Sequence, residues 1–307
     1  MIRSRLRIAG LLLTVLLTAR FADAWGREGH HVVARIAARN LNQTARKKLA
    51  VILATNDAGL EAAMAAASTW PDEIDRKKTG TDRWHFIDVP ITAPFSIAGL
   101  CPNHNCVLDR ITEMQTRLAT NAKGFTLATP PSPPRPMTSQ EVAFLIHFVG
   151  DLHQPLHAAT DGDRGGNCVA LVHPLVHTDG TRTTELHAVW DVDEVVAMAS
   201  GLGSEDAIVA ALFQRFKNGA PVPQLLPADW ARESNDLAKQ DIYQKLHLPN
   251  HTAPPGQCAT GIAKVDVGQP YLAGNVADLE TRLMSAGIRL SNVLNQICAG
   301  TGCSAKP

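Results

Sequence analysis

Apolar residues recur at three- and four-residue intervals along most of the chain, the spacing that lines one face of an α-helix. The pattern predicts helices over roughly 28–39, 42–54, 57–69, 104–121, 138–154, 190–200, 204–217, 227–245 and 270–297. Thr138-x-x-Glu141 forms a capping box just after the proline-rich stretch Pro130 to Pro136, so a helix starts there. In the last helix, Leu279, Leu283, Ile288, Leu290, Leu294 and Ile297 make a stripe fit for burial. Strand signal is confined to about 168–186, where Asp179-Gly180 supplies a turn between Val169–Val176 and Thr181–Leu186. The segment 249–269 is rich in Pro, Gly and polar residues and reads as a loop. The expectation is an all-α, single compact multi-helix domain over 25–307 with one small β-hairpin.

The first 24 residues follow a different rule. Arg3, Arg5 and Arg7 precede an apolar stretch, Ile8 to Leu17, and Ala22-Asp23-Ala24 places small residues where a signal peptidase reads. A membrane anchor is the competing reading, but the apolar run is too short to span a bilayer. Cleavage would leave Trp25 first and the protein secreted or periplasmic.

All six cysteines lie beyond that cut, and an even count in an exported chain suggests disulfides. Six cysteines allow fifteen pairings, and sequence alone does not choose among them; Cys101/Cys106 and Cys298/Cys303 are close enough to close small loops, which would leave Cys168 with Cys258. No CxxC pair favours a cysteine metal site.

The whole chain carries 29 basic and 29 acidic residues; the leader removes four Arg and Asp23, leaving 25 against 28. No long basic run is present, though a protein that held nucleic acid by a basic face should show one, so a nucleic-acid substrate would have its phosphates met mainly by metal.

Twelve histidines are many for this length, and their placement carries the chemistry. His147 and Asp151 stand four apart on the helix predicted over 138–154, inside an otherwise apolar run that ends at Pro155, with His157 just beyond. His187 and Asp191 repeat that spacing in Glu185-Leu-His187-Ala-Val-Trp190-Asp191. Buried His and Asp need partners, and a metal is one. A single such pair is most simply a hydrogen-bonded core histidine; two of them favour metal. Trp70-Pro-Asp72 and Arg83-Trp-His85-Phe86-Ile-Asp88 are weaker alone, because Asp72 could cap a helix and His85 could be core. At the expected mature terminus, Trp25-Gly-Arg-Glu-Gly-His30, a free amine and the first carbonyl could chelate an ion beside His30.

Together these clusters resemble the zinc-dependent single-strand-specific nucleases of fungi, plants and bacteria, relatives of the bacterial zinc phospholipases C. The resemblance also takes in Gly165-Gly166-Asn167, Trp230-Ala-x-Glu233-Ser234 and Ala286-Gly-x-Arg289-Leu-x-x-x-Leu294-Asn295. It implies three Zn²⁺ per chain. One would be held by Asp72, His85, His147 and Asp151; a second by the Trp25 amine and carbonyl, His30 and the shared Asp151; a third by His157, His187 and Asp191. Of the remaining histidines, His153 is the best placed to support a ligand. The implied activity is hydrolysis of single-stranded RNA and DNA to 5′-phosphorylated products, with 3′-nucleotidase activity, by metal-activated hydroxide attacking phosphorus in line. Single-stranded nucleic acid and 3′-nucleotides are the implied substrates, with a monomeric protein and no stable protein partner. Asp72 and Asp151 would be catalytic through their metals. Asn167 would donate to the scissile phosphate, Phe86 would stack a base and Asp88 would bond its edge, although Phe86 could equally be core packing. Three divalent ions would move the mature charge from about −3 to about +3 within the cleft, replacing a basic face.

Two positions depart from the family pattern. Asp75 stands where an Arg is common, with Arg76 one later as the candidate phosphate contact, and Glu185 stands where Asn is common. A phospholipase C acting on lipid headgroups and a non-catalytic exported zinc-binding protein are the rival readings. Asn42-Gln-Thr44 and Asn250-His-Thr252 are glycosylation sequons only in a host that glycosylates exported proteins.

Overall fold

The computed structural model describes residues 25–120, 137–217, 222–300 and 302–303. The leader over 1–24 and the proline-rich stretch 130–136 lie outside the described residues. The helices run in chain order as α1 (Gly26–Asn40), α2 (Gln43–Ile52), α3 (Leu60–Glu73), the short α4 (Arg76–Thr79), α5 (Val107–Thr120) and α6 (Ser139–His153). A hairpin follows, β1 (Ala170–Val176) antiparallel to β2 (Arg182–Glu185). Then come α7 (Leu186–Ala188), a π-helical turn Val189–Asp193, and α8 (Glu194–Ala199). The chain continues through α9 (Glu205–Phe216), α10 (Pro227–Leu237), a second π-helical stretch Ala238–Gln244, and the long α11 (Gln269–Ala299).

Helix α6 is the axis of the molecule. Every residue from Glu141 to His153 is buried, which an all-round apolar helix requires. The expected capping box forms, with Thr138 Oγ1 accepting from the Glu141 N–H and Glu141 Oε2 accepting from the Thr138 N–H. Helices α1, α3, α5, α10 and α11 pack around it. Gly287 lets α11 close onto Val33 and Ile36 of α1; a methyl group there would overlap Ile36. Of the predicted α11 stripe, Leu279, Leu283, Leu290, Leu294 and Ile297 are buried, and Ile288 packs at its edge.

A second, smaller apolar cluster (Leu156, Leu171, Leu186, Trp190, Tyr243 and Val265 among its members) seats the hairpin. The hairpin loop closes as expected at Asp179-Gly180: the Gly180 N–H donates to the His177 carbonyl, and Gly180 takes the left-handed φ of 84° that the return requires. The disulfides are Cys101–Cys106, Cys168–Cys258 and Cys298–Cys303. The Cys168–Cys258 bridge ties down the 249–269 loop, which also pairs with β1 at Leu171 and Val265.

Three helices differ from the sequence expectation, the one expected over 227–245 by turning π-helical from Ala238 to Gln244. Helix α3 runs through Pro71 to Glu73 instead of ending at residue 69, because a proline in the last turn forfeits few ladder bonds. The predicted 190–200 helix begins at Leu186 and inserts a π-turn, a wider coil that side-chain periodicity does not register.

Candidate metal centre

Three elements bring the first cluster together. Asp72 ends α3, His85 closes a short 3-10 turn (Asp82–His85), and His147 and Asp151 share one face of α6. His85 Nδ1 lies 2.9 Å from His147 Nε2, 3.1 Å from Asp151 Oδ2 and 3.5 Å from Asp72 Oδ1. His147 Nε2 lies 3.4 Å from Asp72 Oδ1 and 3.3 Å from Asp151 Oδ2. A tetrahedral zinc with bonds of about 2.0–2.1 Å separates its ligand atoms by roughly 3.3 Å. These separations therefore match the edges of one coordination tetrahedron.

Tautomers point the same way. His147 Nδ1 donates to the Ser68 carbonyl at 2.7 Å, in the turn of α3 that Pro71 crowds, so Nε2 turns a lone pair inward. Two ring nitrogens and two carboxylates then converge on one point. Burial opposes charging His147, yet Asp151 and Asp72 outweigh it and hold its pKa well above the usual value. Burial would raise Asp72, but His147 and His85 pull it down to about 2. The pocket calls for positive charge.

The second cluster shares Asp151. His30 Nε2 faces Asp151 Oδ1 at 3.4 Å, and the His30 ring stacks on His147 with centroids 4.0 Å apart. Gly150 makes room, since a Cβ there would lie 2.9 Å from His30 Nδ1. Trp25 is wholly buried with a left-handed φ of 54°, and its indole N–H donates to the Gly150 carbonyl at 2.7 Å. Its backbone nitrogen lies 3.2 Å from Asp191 Oδ1, and its carbonyl accepts from the Gly29 N–H.

The third cluster joins His157, His187 and Asp191. His187 Nε2 is 3.3 Å and His157 Nε2 3.9 Å from Asp191 oxygens. Each ring is turned by its other nitrogen: His157 Nδ1 donates to the His85 carbonyl at 2.7 Å, and His187 Nδ1 to the Gly165 carbonyl at 2.6 Å. Gly165 and Gly166 take φ of 60° and 85°, a turn only glycine adopts freely. Burial pushes His157 down to about 3 and lowers His187, so both are neutral donors of electron pairs. Burial pushes Asp191 well above the usual carboxylate range.

A fit test for cations needs only the unpartnered atoms. His30 Nε2, Asp151 Oδ1, His157 Nε2 and Asp191 Oδ2 are all buried, and none has a hydrogen-bond partner. Four such orphans within three His/Asp clusters are what removal of bound cations would leave. The donor set is imidazole and carboxylate throughout, which suits zinc.

The remaining expected residues sit around these clusters. Arg76 Nη1 bonds Asp72 Oδ1 at 3.0 Å, and Asp75 caps α4 through the Lys78 N–H. Asn167 is exposed, its amide donating to the Arg164 carbonyl. Phe86 and Asp88 are half-buried just past His85. Burial raises the Asp88 pKa, against the pull of Arg83 and Arg164. His153 faces Arg289 and its own helix rather than a ligand ring. Sequence reasoning missed Gln154, whose amide donates to Asp191 Oδ1 at 2.6 Å, and Gly150. Both lie inside the motif that flagged Asp151, where neither a glutamine nor a glycine announces its use.

Fold and clusters together define a helical protein with a buried, multi-cluster His/Asp centre whose donor set could hold metal ions. The chain belongs to the S1/P1 nuclease family, whose model matches residues 25–299. It is 29% identical to Endonuclease 3 of Arabidopsis thaliana over 94% of this chain and 92% of that protein. Nuclease S1 of Aspergillus oryzae is 27% identical over 69% of this chain and 70% of its own length. Nuclease P1 of Penicillium citrinum is 23% identical over 89% and 97% respectively.

Proposed function

We propose that the protein is an exported nuclease that uses three zinc ions to hydrolyse single-stranded RNA and DNA to 5′-phosphorylated products, and 3′-nucleotides to nucleosides. The observation that carries the reading is the convergence of buried, unpartnered His and Asp atoms in a member of this nuclease family. Asp72, His85, His147 and Asp151 would hold one ion, His30 and the second oxygen of Asp151 another, and His157, His187 and Asp191 the third. Trp25 would complete the His30 site once the leader is removed. Support for a fixed terminus is the burial of its side chain and its indole bond to Gly150. The three disulfides suit an oxidising compartment.

Bound zinc would supply Lewis acidity toward the phosphoryl oxygens and lower the pKa of water toward about 7. The chain's own residues set the stage for that chemistry. Asp151 offers one oxygen to each of two clusters, which fixes their spacing. Arg76 holds Asp72 in place and leaves little reach for phosphate. Gln154 fixes Asp191 from behind. Asn167 is free to swing its exposed amide from the Arg164 carbonyl to a phosphate oxygen. Phe86 and Asp88 present a ring and a carboxylate to a base freed from pairing.

The test is direct: the purified protein is incubated with single-stranded RNA, with duplex DNA and with phosphatidylcholine vesicles. Cleavage of the single strand, abolished by chelator and restored by zinc, is expected. Hydrolysis of the lipid alone would replace this reading with a phospholipase.

A further inference from the structure

One peptide group ties the third cluster to a buried carboxylate. The Gly165 carbonyl, which accepts from His187 Nδ1 at 2.6 Å, and the Gly166 N–H are the two ends of a single peptide. The Gly166 N–H donates to Asp163 Oδ2 at 3.0 Å. A Cβ on Gly165 would overlap the Leu156 carbonyl, and one on Gly166 would lie 3.1 Å from the His187 backbone nitrogen, so only glycines let this peptide reach both partners. Asp163 is 1% exposed, and its other oxygen accepts from the Asp161 N–H at 3.0 Å. The Tyr243 hydroxyl sits 3.1 and 2.9 Å from the two oxygens and donates between them. Tyr243 is buried too, and it comes from the second π-helical stretch, 80 residues away.

Two N–H groups and a hydroxyl aimed at one carboxylate are what its ionised form accepts. Burial raises the Asp163 pKa, and these same donors pull it back. Burial and then the Asp163 charge push Tyr243 well above its usual value, so the hydroxyl keeps its proton and remains the donor. A negative charge at the N–H end of a peptide polarises it and makes its carbonyl a stronger acceptor. That carbonyl bonds the ring whose Nε2 faces Asp191. We infer that Asp163 is a positioning residue for the third cluster, acting through the Gly165–Gly166 peptide to fix the His187 ring and to strengthen Nε2 as a metal donor. The inference rests on the reading of His157, His187 and Asp191 as a metal site. A metal-binding histidine commonly hands its other N–H straight to a carboxylate or a carbonyl. Here the two are joined in series, with one peptide between the ring and the charge.

Chelator titration of the zinc-loaded, leader-free protein, with released ions counted by an indicator dye, tests the inference apart from activity. Asp163→Asn should surrender one ion to a chelator about ten- to a hundredfold weaker, with the other two held as in wild type. Proton NMR supplies a second readout. Tyr243→Phe keeps the carboxylate and removes one of its donors, so Asp163 should grip the Gly166 N–H harder. The Gly166 amide proton and the His187 Nδ1 proton should then move downfield together, and in Asp163→Asn the His187 proton should move upfield. A lower urea midpoint in Asp163→Asn with all three ions held at wild-type strength would make Asp163 a loop anchor only and overturn the inference. Equal weakening of all three ions would overturn it as well. So would a His187 proton unmoved in Tyr243→Phe, a check that stands even where Asp163→Asn fails to fold. Three ions in the wild type without the paired shifts sink this coupling alone; fewer than three, with the shifts present, sink the three-metal reading instead.

Discussion

The chemistry of the centre is decided at single atoms. Each cluster histidine whose second nitrogen bonds a backbone carbonyl has its tautomer fixed: His147 by Ser68, His157 by His85 and His187 by Gly165. In the metal-free protein the carboxylates hold a proton on His147, and burial favours one on Asp191. Binding of a cation by these atoms would release both protons. Titrating zinc into chelated protein at neutral pH in weak buffer should therefore acidify the solution, read by an indicator dye; no acidification would contradict the assignment. His157 has the opposite sign. Burial pushes it down to about 3, below the ordinary 6.5, so its contribution to stability is complete above 6.5 and is lost as pH falls toward 3. The pairs His147/Asp151 and His187/Asp191 stood out in sequence because His and Asp four apart in apolar runs are costly without a partner, whereas Asp72, His85, His30 and His157 joined them only through the family resemblance. Gln154 and Gly150 did not stand out, because their roles depend on which neighbours the fold brings within reach.

Among the elements, α6 depends most on its surroundings. Its last four carbonyls have no partners within the helix. Gly150 accepts from the Trp25 indole, Asp151 from the Gln154 N–H, Leu152 from Ser234 Oγ and His153 from Arg282 Nε. Every orphan is met, and three of the partners come from α10, α11 and the chain's start. The turn that carries Asp151 is thus clamped from three directions. Arg282 also bonds Ser234, and both Arg282 and Arg289 share Glu233. Ser234→Ala would strand a buried carbonyl and a guanidinium N–H together. A loss of about 1–3 kcal/mol in urea unfolding is expected; an unchanged midpoint would show that the clamp is slack. The capping box and apolar stripe made α6 and α11 legible in sequence. The π-turn at Val189–Asp193 was not, because one extra residue per turn leaves no mark on the apolar pattern.

At the scale of the whole molecule, the helical class and the hairpin followed from periodicity, while loop size suggested disulfide pairs that sequence alone left open. The packing of five helices around α6 did not follow, since periodicity gives faces but not partners. Among the bridges, Cys168–Cys258 spans 90 residues and the other two span 5 each. The chain-entropy relation assigns the long loop about 4–5 kcal/mol and each short one about 2 kcal/mol. Replacing Cys168 and Cys258 with Ser should therefore lower the thermal midpoint more than replacing Cys101 and Cys106, as calorimetry would read.

The proposed reading has α1, α3, α6 and the Gly165–Asp191 segment arranged around bound cations, with their buried, unpartnered His and Asp atoms as its support. The zinc content of the purified, leader-free protein after exhaustive dialysis, determined by elemental analysis, is the most direct check. Three ions per chain are expected; one or none would contradict the account.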